Sequence, residues 1–225
     1  ISFGAIYSIA QKLKQRVGQL KFIKSKRKNF KVKHLLILDL DETLIYSTTK
    51  KLKQKEAFFF FFYFVYTRPH LNWFLNEVSN HFRIGIWSAA DEEYVSAIIE
   101  QIIPKDINLE IVWGQSWCTH KLNSETNAYV YEKNLKDLLK LNFKLEEMIL
   151  VEDSLYNAKV NNENTIVIKP FIGEQNDQEL KSLFDFLLTL RAKEDIRKIV
   201  KNAIRNQRQL ATVTTKKWRI FKKFW

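Results

Sequence analysis

Several residue types and patterns are scarce in this sequence, and each scarcity narrows the class of protein. One cysteine, Cys118, among 225 residues excludes an internal disulfide bond and suits a reducing compartment. Five glycines and three prolines leave little material for long flexible linkers. No run of 18 apolar residues occurs, so we expect no membrane-spanning helix. Residues 1–10 are apolar but lack a preceding basic region, so we expect no signal peptide and an intracellular, cytoplasmic location.

The sequence is rich in apolar residues, and its positive charge is unevenly distributed. Hydrophobic residues make up 46% of the chain and aromatic residues 14%, which is enough to bury a core. The net charge of +12 arises mainly from lysines and arginines near the two ends, whereas the acids concentrate in the middle. We therefore predict a basic N-terminal extension over 1–33, a folded domain over 34–192 and a basic, aromatic C-terminal extension over 193–225.

The basic ends have two interpretations. Interleaved cations and aromatic rings suit a polyanionic partner, either RNA or an anionic lipid surface. The same residues also suit a solvated surface helix that is partly frayed. Both interpretations stay open, and neither identifies a reaction, which is better sought among the acids in the middle of the chain.

Apolar segments alternate with amphipathic ones through the middle of the chain. The predicted strands cover 35–38, 57–66 (as a strand or a hairpin), 82–87, 109–113, 129–131, 148–151 and 165–168, with an irregular polar stretch between the fourth and fifth. One predicted helix begins at 68–69, and three more cover 91–103, 133–141 and 178–190. This alternation predicts an α/β fold, a Rossmann-like parallel sheet with helices on both faces.

Polar residues follow three of the predicted strands at the point where each strand ends. Asp39 follows the strand 35–38, Ser88 follows the strand 82–87, and Glu152–Asp153 follow the strand 148–151. Lys133 opens the helix that precedes the last of these strands. Ligands bind beyond the carboxyl ends of the strands in such a sheet. The sequence therefore predicts a site for phosphate chemistry at the carboxyl ends of these strands.

Asp39 and Asp41 are the strongest single feature of this set. They are two residues apart in an extended segment, so their side chains point to the same side. One carboxylate can attack phosphorus and form an aspartyl-phosphate, while the second protonates the leaving oxygen and later activates water. The repulsion between these anions and a phosphate predicts a Mg²⁺ ion, which prefers oxygen ligands. The alternative is a simple acidic turn after a strand.

These segments resemble the haloacid dehalogenase superfamily. Residues 38–44 (LDLDETL) resemble its signature, and more narrowly that of the small phosphatases of the RNA polymerase II C-terminal domain, the NLI-interacting-factor-like phosphatases. Residues 68–70 (RPH), 86–90 (IWSAA) and 149–154 (ILVEDS) are similar to further blocks of that branch. The similarity extends over roughly residues 34 to 190.

The resemblance implies a role for each residue of the metal site. Asp39 is implied as nucleophile and Mg²⁺ ligand, Asp41 as acid/base that also offers its backbone carbonyl to the metal, and Asp153 as the third protein ligand. Glu152 departs from the aspartate that is more frequent at that position in this branch. Because Asp153 keeps the ligand position, we expect the metal site to survive this departure.

The remaining implied roles concern the transferred phosphoryl group. The resemblance implies that Thr43 orients the nucleophile region, that Ser88 hydrogen-bonds the phosphoryl group and that Lys133 neutralises its charge. Ser88 could instead only cap the following helix. Lys136 is a rival to Lys133, because it lies in a Lys-Asp-Leu segment that is frequent in the family; the strand before Lys133 favours Lys133.

The spacing of the motifs leaves no room for a large cap domain. The stretches between them are already filled by predicted strands and helices, and only 114–128 has space for a small insertion. An open site admits a phosphate on a macromolecule, so we expect a protein phosphoserine or phosphothreonine phosphatase with a phosphorylated protein as substrate. A nucleic-acid end phosphatase and a weakly active module that binds phosphorylated partners are the alternatives.

Overall fold

The computed structural model describes residues 34–123 and 128–202 of the chain. The strands in chain order are β1 Leu35–Leu38, β2 Ile45–Thr48, β3 Phe58–Phe60, β4 Tyr63–Thr67, β5 Arg83–Trp87, β6 Leu109–Trp113, β7 Thr119–Asn123, β8 Ala128–Glu132, β9 Met148–Glu152 and β10 Thr165–Val167. The α-helices are α1 Leu71–Ser79, α2 Glu92–Ile102, α3 Leu155–Val160 and α4 Glu179–Leu190, and short 3-10 helices cover Gln115–Trp117, Leu135–Leu141 and Leu145–Glu147.

A five-stranded parallel sheet in the order β10–β9–β1–β5–β6 forms the centre of the molecule, which confirms the predicted α/β fold. All four residues of β1 are buried. Leu36 and Leu38 belong to a core on the face covered by α1, α2 and α4, whereas Leu35 and Ile37 belong to a second core that includes the 3-10 helix Leu135–Leu141. Helical elements therefore cover both faces, as expected for a parallel sheet.

A second, antiparallel sheet follows the first strand. Its order is β2–β4–β3, and β3 and β4 are joined by a tight turn at residues 61–62. The segment 57–66, predicted as a strand or a hairpin, is thus a hairpin. Phe58 and Phe60 pack against the core, while Phe61 adopts a left-handed backbone conformation with φ of 51°. The small sheet lies between the motif at 38–44 and Ser88, a stretch in which no large cap domain was expected.

Three local predictions were wrong in detail. The helix expected to open at Lys133 is a 3-10 helix, Leu135–Leu141, because the side chain of Asn134 accepts a hydrogen bond from Lys136 N and fixes the start there. The stretch expected to be irregular contains β7, which pairs with β8 over five residues. The helix expected to begin at 68–69 begins at Leu71, because His70 adopts a left-handed conformation before it.

The packed core continues past the boundary predicted at residue 192. Ile196 and Val200 are fully buried, and Ile196 N donates to Glu146 O at 3.2 Å. The folded domain therefore extends at least to Val200. The predicted extension 1–33 and residues 203–225 lie outside the described residues. In the described ranges no helix combines the length and apolar character needed to cross a bilayer.

Candidate active site

The end of β1 delivers Asp39 into the interior. Asp39 N donates to Val151 O of β9 at 3.2 Å, and the residue is only 6% exposed. The carbonyl of Leu40 then accepts from the backbone N–H groups of Thr43, Leu44 and Ile45 at 2.8–3.2 Å, which closes a tight turn. Asp41 forms an isolated bridge with Ile45 in this turn, and it lies close enough to Asp39 for the charge of Asp39 to act on its carboxyl group.

Lys133 lies directly against Asp39. Its Nζ is 2.5 Å from Asp39 Oδ1 and 2.5 Å from Glu152 Oε1, and the side chain is 1% exposed. Asn161 holds the backbone at this position by donating to Lys133 O at 2.6 Å. Lys136 is exposed. Of the two rival lysines, Lys133 is therefore the one that contacts the predicted nucleophile.

The buried charges keep Lys133 protonated. Burial by itself works against an ammonium ion, but the carboxylates of Asp39 and Glu152 outweigh it and raise the pKa of Lys133 above its ordinary range. Burial raises the pKa of Glu152, and the charge of Asp39 adds to the rise, whereas Lys133 opposes it. Two carboxylates thus share one ammonium group at the end of β1.

Asp41 belongs to a separate hydrogen-bond chain. Tyr94 of α2 donates its phenolic hydrogen to Asp41 Oδ1 at 2.6 Å, and Ser47 Oγ lies 2.6 Å from the same phenolic oxygen. Because the tyrosine has a single hydrogen, Ser47 must be the donor of the second bond. Burial raises the pKa of Asp41 to about 6, the bond from Tyr94 opposes that rise and the charge of Asp39 adds to it.

Three carboxylates at the sheet edge could hold a cation. One oxygen each of Asp39, Glu152 and Asp153 lie within 4.8 Å of one another. Burial raises the pKa of Asp153 to about 6, and the charges of Asp39 and Glu42 add to the rise. A group of carboxylate oxygens that repel one another is the donor set that suits a hard divalent ion such as Mg²⁺. The side chain of Asp41 is not part of this group.

Ser88 and Thr43 are both buried near these carboxylates, but their hydroxyl groups have different surroundings. Leu38 pairs with Ile86 of β5, so Ser88 lies just beyond the same sheet edge as Asp39, and it is 2% exposed. Ser88 Oγ accepts from Ala90 N at 3.1 Å, which leaves its hydroxyl hydrogen for another acceptor. Thr43 Oγ1 is buried and has no hydrogen-bond partner among the described residues, whereas the backbone oxygen of Thr43 accepts from Arg68.

Arg68 braces the turn that carries the acids. Its Nη1 donates to Thr43 O at 3.0 Å and its Nη2 to Lys169 O at 2.8 Å. Two further bonds join its guanidinium to Asp177. The residue is 1% exposed, and it ties the turn after β1 to the segment before α4.

Three residues of this arrangement had no assigned role from the sequence. Tyr94 was treated only as part of an amphipathic helix; a signal that could have found it is its place on the first turn of the helix that follows Ser88. Glu152 was noted as a departure from the family pattern but not as a partner of Lys133. Arg68 was noted within a family block, without the pairing to Asp177.

Comparisons with known proteins show which family the chain belongs to. Residues 34–197 match the family model of the NLI interacting factor-like phosphatases. The chain is 30% identical over 169 residues to "CTD small phosphatase-like protein 2" of Dictyostelium discoideum, covering 72% of this chain and 28% of that protein. It is 27% identical to "Nuclear envelope morphology protein 1" of Schizosaccharomyces pombe, covering 73% and 35%.

Other matches differ in how much of each chain they cover. "CTD nuclear envelope phosphatase 1B" of Danio rerio is 25% identical, covering 88% of this chain and 83% of that protein. Among solved structures, Fcp1, a CTD phosphatase of RNA polymerase II, superposes with a TM-score of 0.46 at 17% identity, covering 82% and 52%; the likeness is too distant to carry weight. The chain thus spans about a third of the first two relatives. By the match over residues 34–197, it belongs to the NLI interacting factor-like phosphatase family.

Proposed function

We propose that this chain is a Mg²⁺-dependent phosphomonoester hydrolase that works through an aspartyl-phosphate on Asp39, and that its substrate is a protein phosphoserine or phosphothreonine. The observation that carries the proposal is the contact of 2.5 Å between Lys133 Nζ and Asp39 Oδ1, both nearly inaccessible to water. A buried ion pair adds little to stability compared with apolar residues of similar volume, so its presence at a strand end favours a chemical role.

In the first half of the reaction, a carboxylate oxygen of Asp39 attacks phosphorus and the bond from phosphorus to the ester oxygen breaks. Protonated Asp41 gives its proton to the leaving oxygen, so a neutral alcohol departs. Tyr94 holds one oxygen of Asp41, which leaves the other free to carry that proton. Lys133 uses two of its three N–H bonds on Asp39 and Glu152, so the third is available to a phosphoryl oxygen.

In the second half, the Asp41 carboxylate removes a proton from water, and the resulting hydroxide oxygen attacks phosphorus. The bond between phosphorus and Asp39 breaks, inorganic phosphate leaves and both aspartates return to their starting states. The hydroxyl hydrogen of Ser88 is free to bond a phosphoryl oxygen, because Ser88 Oγ itself accepts from Ala90 N. Donors fixed in a buried site stabilise developing charge effectively.

The proposed metal would be held by Asp39, Asp153 and the backbone carbonyl of Asp41. Bound Mg²⁺ would offset the repulsion between the carboxylates and the phosphate dianion. Glu152 completes the acidic group of Asp39 and Asp153 but is engaged by Lys133, so we assign it to the lysine rather than to the metal. This assignment keeps the net charge of the Lys133–Glu152 pair close to zero.

The proposed substrate class rests on access. Within the described residues, the stretches between the motifs hold the antiparallel sheet, α1, α2 and the β7–β8 hairpin, with no separate cap domain. Without a cap domain over the sheet, a phosphorylated side chain of a protein can approach the strand ends. The names of the relatives, which include CTD phosphatases, support the same substrate class.

The test compares three substrates: an aryl phosphate, phosphoserine or phosphothreonine peptides, and 5′- or 3′-phosphorylated oligonucleotides. We expect the peptides to be hydrolysed with the largest kcat/KM, and Asp39→Asn to lower turnover by several orders of magnitude. Asp106→Asn is the matched control, because Asp106 is exposed and lies before β6, at the opposite edge of the sheet. Higher kcat/KM on oligonucleotides would favour the nucleic-acid alternative, and activity retained by Asp39→Asn would reject the mechanism.

A further inference from the structure

The turn of the β3–β4 hairpin presents large aromatic side chains to solvent. Phe62 is 78% exposed, Phe59 57%, Phe61 56% and Tyr63 42%. We call these four residues the aromatic tip. A soluble domain seldom exposes several large apolar side chains side by side without a partner for them.

The rest of the hairpin is anchored, so the aromatic tip is a protrusion of the fold. Phe60 packs against the core and its ring lies 5.9 Å from the ring of Tyr94, while the tilted ring of Phe59 lies 5.1 Å from the ring of Phe64. Phe61 and Phe62 form the turn between β3 and β4, and Phe59 and Tyr63 flank it, so the four rings lie together at one end of the hairpin.

Positive charge surrounds the same hairpin. The segment from residue 50 to 67 contains four lysines, Lys50, Lys51, Lys53 and Lys55, all exposed, and one acid, Glu56. Glu56 pairs with Lys51 at 3.3 Å. Lys50 follows β2 by two residues, and the last residue of β2, Thr48, pairs with Phe64 of β4, close to the tip. Among the described residues, the hairpin and its preceding loop thus carry a net charge of about +3 by count of these side chains.

We propose that the aromatic tip and these lysines dock the domain on a bilayer that contains anionic phospholipids. Aromatic rings enter the boundary between headgroups and acyl chains, and lysines near the surface are attracted by anionic headgroups. Exposed rings at the end of a hairpin need no shaped partner to become buried in lipid. An acidic protein would need a groove to receive them, and a second copy of this chain would bring like charges together.

The docking surface adjoins the reaction centre. Phe60, one residue before the turn, touches Tyr94, and Tyr94 donates to Asp41. A domain bound through the tip therefore holds its site close to the membrane, where phosphorylated proteins at the headgroup level can reach it. The inference about docking itself does not depend on the proposed reaction.

The test is partition of the full chain onto vesicles of phosphatidylcholine with or without phosphatidylserine, at 0.1 M and 0.5 M salt. High salt screens attraction by the many other lysines and arginines of the chain, so it isolates the contribution of the rings. We expect the double variant Phe61→Asn/Phe62→Ser to bind phosphatidylserine vesicles at least about tenfold more weakly at both salt concentrations, since burying one phenylalanine is worth about tenfold. Asparagine tolerates the left-handed conformation of residue 61, so the turn is kept.

Matched controls separate the tip from general surface effects. Leu141→Ser removes another side chain that is 51% exposed, and it should change partition less than about twofold. Substituting Lys50, Lys53 and Lys55 by Gln should weaken binding by more than about tenfold at 0.1 M salt, whereas Lys136→Gln with Lys140→Gln should not. Thermal unfolding of each variant checks the fold.

Two results would overturn the proposal. One is equal partition of the intact chain and the tip variant at both salt concentrations. The other is a change of the tip variant from dimer to monomer in sedimentation without a change in vesicle partition, which would assign the tip to a contact between copies of this chain.

Discussion

The guanidinium of Arg68 and the carboxylate of Asp177 face each other in the interior, with Nε–Oδ1 and Nη2–Oδ2 distances of 2.9 Å each. The side chains are 0% and 4% exposed, and 109 residues separate them in the sequence. Since Arg68 also donates to Thr43 O, the pair links the turn that carries the proposed catalytic acids to the segment before α4. The stability of that turn therefore depends on a distant carboxylate.

Asp177→Asn should lower the free energy of unfolding by about 3 kcal/mol, because it leaves the buried Arg68 charge without its counterion. Urea denaturation measures this loss. The control is Asp195→Asn, which breaks the exposed two-bond pair with Arg197 and should cost less than about 1 kcal/mol. Equal losses in the two variants would contradict the distinction between buried and exposed pairs.

The same pair predicts a dependence of stability on pH. Burial alone would raise the pKa of Asp177, but the hydrogen bonds from Arg68 and from Glu179 N prevail and lower it below the ordinary value of 3.8. A lowered pKa in the folded state stabilises the fold above the unfolded pKa, and this contribution is lost as the pH falls through the folded pKa. The stability gap between the intact chain and Asp177→Asn should be constant above about pH 5 and narrow below about pH 4. A gap that stays constant down to pH 3 would argue against this.

Tyr94→Phe should act on turnover rather than on substrate binding. It removes the hydroxyl that holds Asp41 Oδ1, while the ring and its contact with Phe60 stay in place. We expect kcat to fall about tenfold and KM to change less than about twofold, because a hydrogen bond to a charged group is worth about 1.5–3 kcal/mol. Tyr46→Phe is the control, because it removes the same hydroxyl group from a tyrosine in β2, next to Ser47. A rise in KM at unchanged kcat would instead make Tyr94 a substrate contact.

The two lysines give a direct contrast. Lys133→Ala should lower kcat by more than about a hundredfold, because it removes a cation that lies 2.5 Å from Asp39. Lys136→Ala should change kcat less than about twofold, since Lys136 is exposed. Both are measured on the aryl phosphate. The opposite ranking would transfer the role to Lys136.

Metal dependence should be visible in one titration. A chelator should abolish hydrolysis and added Mg²⁺ should restore it, and Asp153→Asn should raise the Mg²⁺ concentration for half-maximal activity at least about tenfold, because one charged oxygen ligand is lost. Asp185→Asn, in the exposed part of α4, is the control for loss of one negative charge. An unchanged Mg²⁺ requirement in Asp153→Asn would remove this residue from the ligand set.

The sequence predicted the sheet and the edge at which its polar residues gather. The apolar runs that become β1, β5 and β9 end at Asp39, Ser88 and Glu152–Asp153, and the parallel pairing of these strands brings the ends together. That inference needed only periodicity and the rule for strand ends. The strand before Lys133 also favoured Lys133 rather than Lys136 as the lysine at the site. The helix after that strand, however, begins two residues later than predicted.

Contacts between distant segments could not be predicted from the sequence. The bond from Tyr94 to Asp41 spans 53 residues and that from Arg68 to Asp177 spans 109, and no local pattern selects one pair among many candidates. The strand β7 was missed because its polar residues pair only with β8 and cover no core. The end of the domain was missed because Ile196 and Val200 lie in a short, mostly polar stretch.

The central position of β1 has a consequence for the growing polypeptide. β5 can pair with one side of β1 as soon as it is synthesised, but the other side waits for β9, and Asp39 meets its lysine only after 94 more residues have been added. Until then the nascent chain exposes an open strand edge together with five consecutive phenylalanines, which invites misassembly. A chaperone at the ribosome exit would meet this incomplete sheet before Asp39 and Lys133 are in contact.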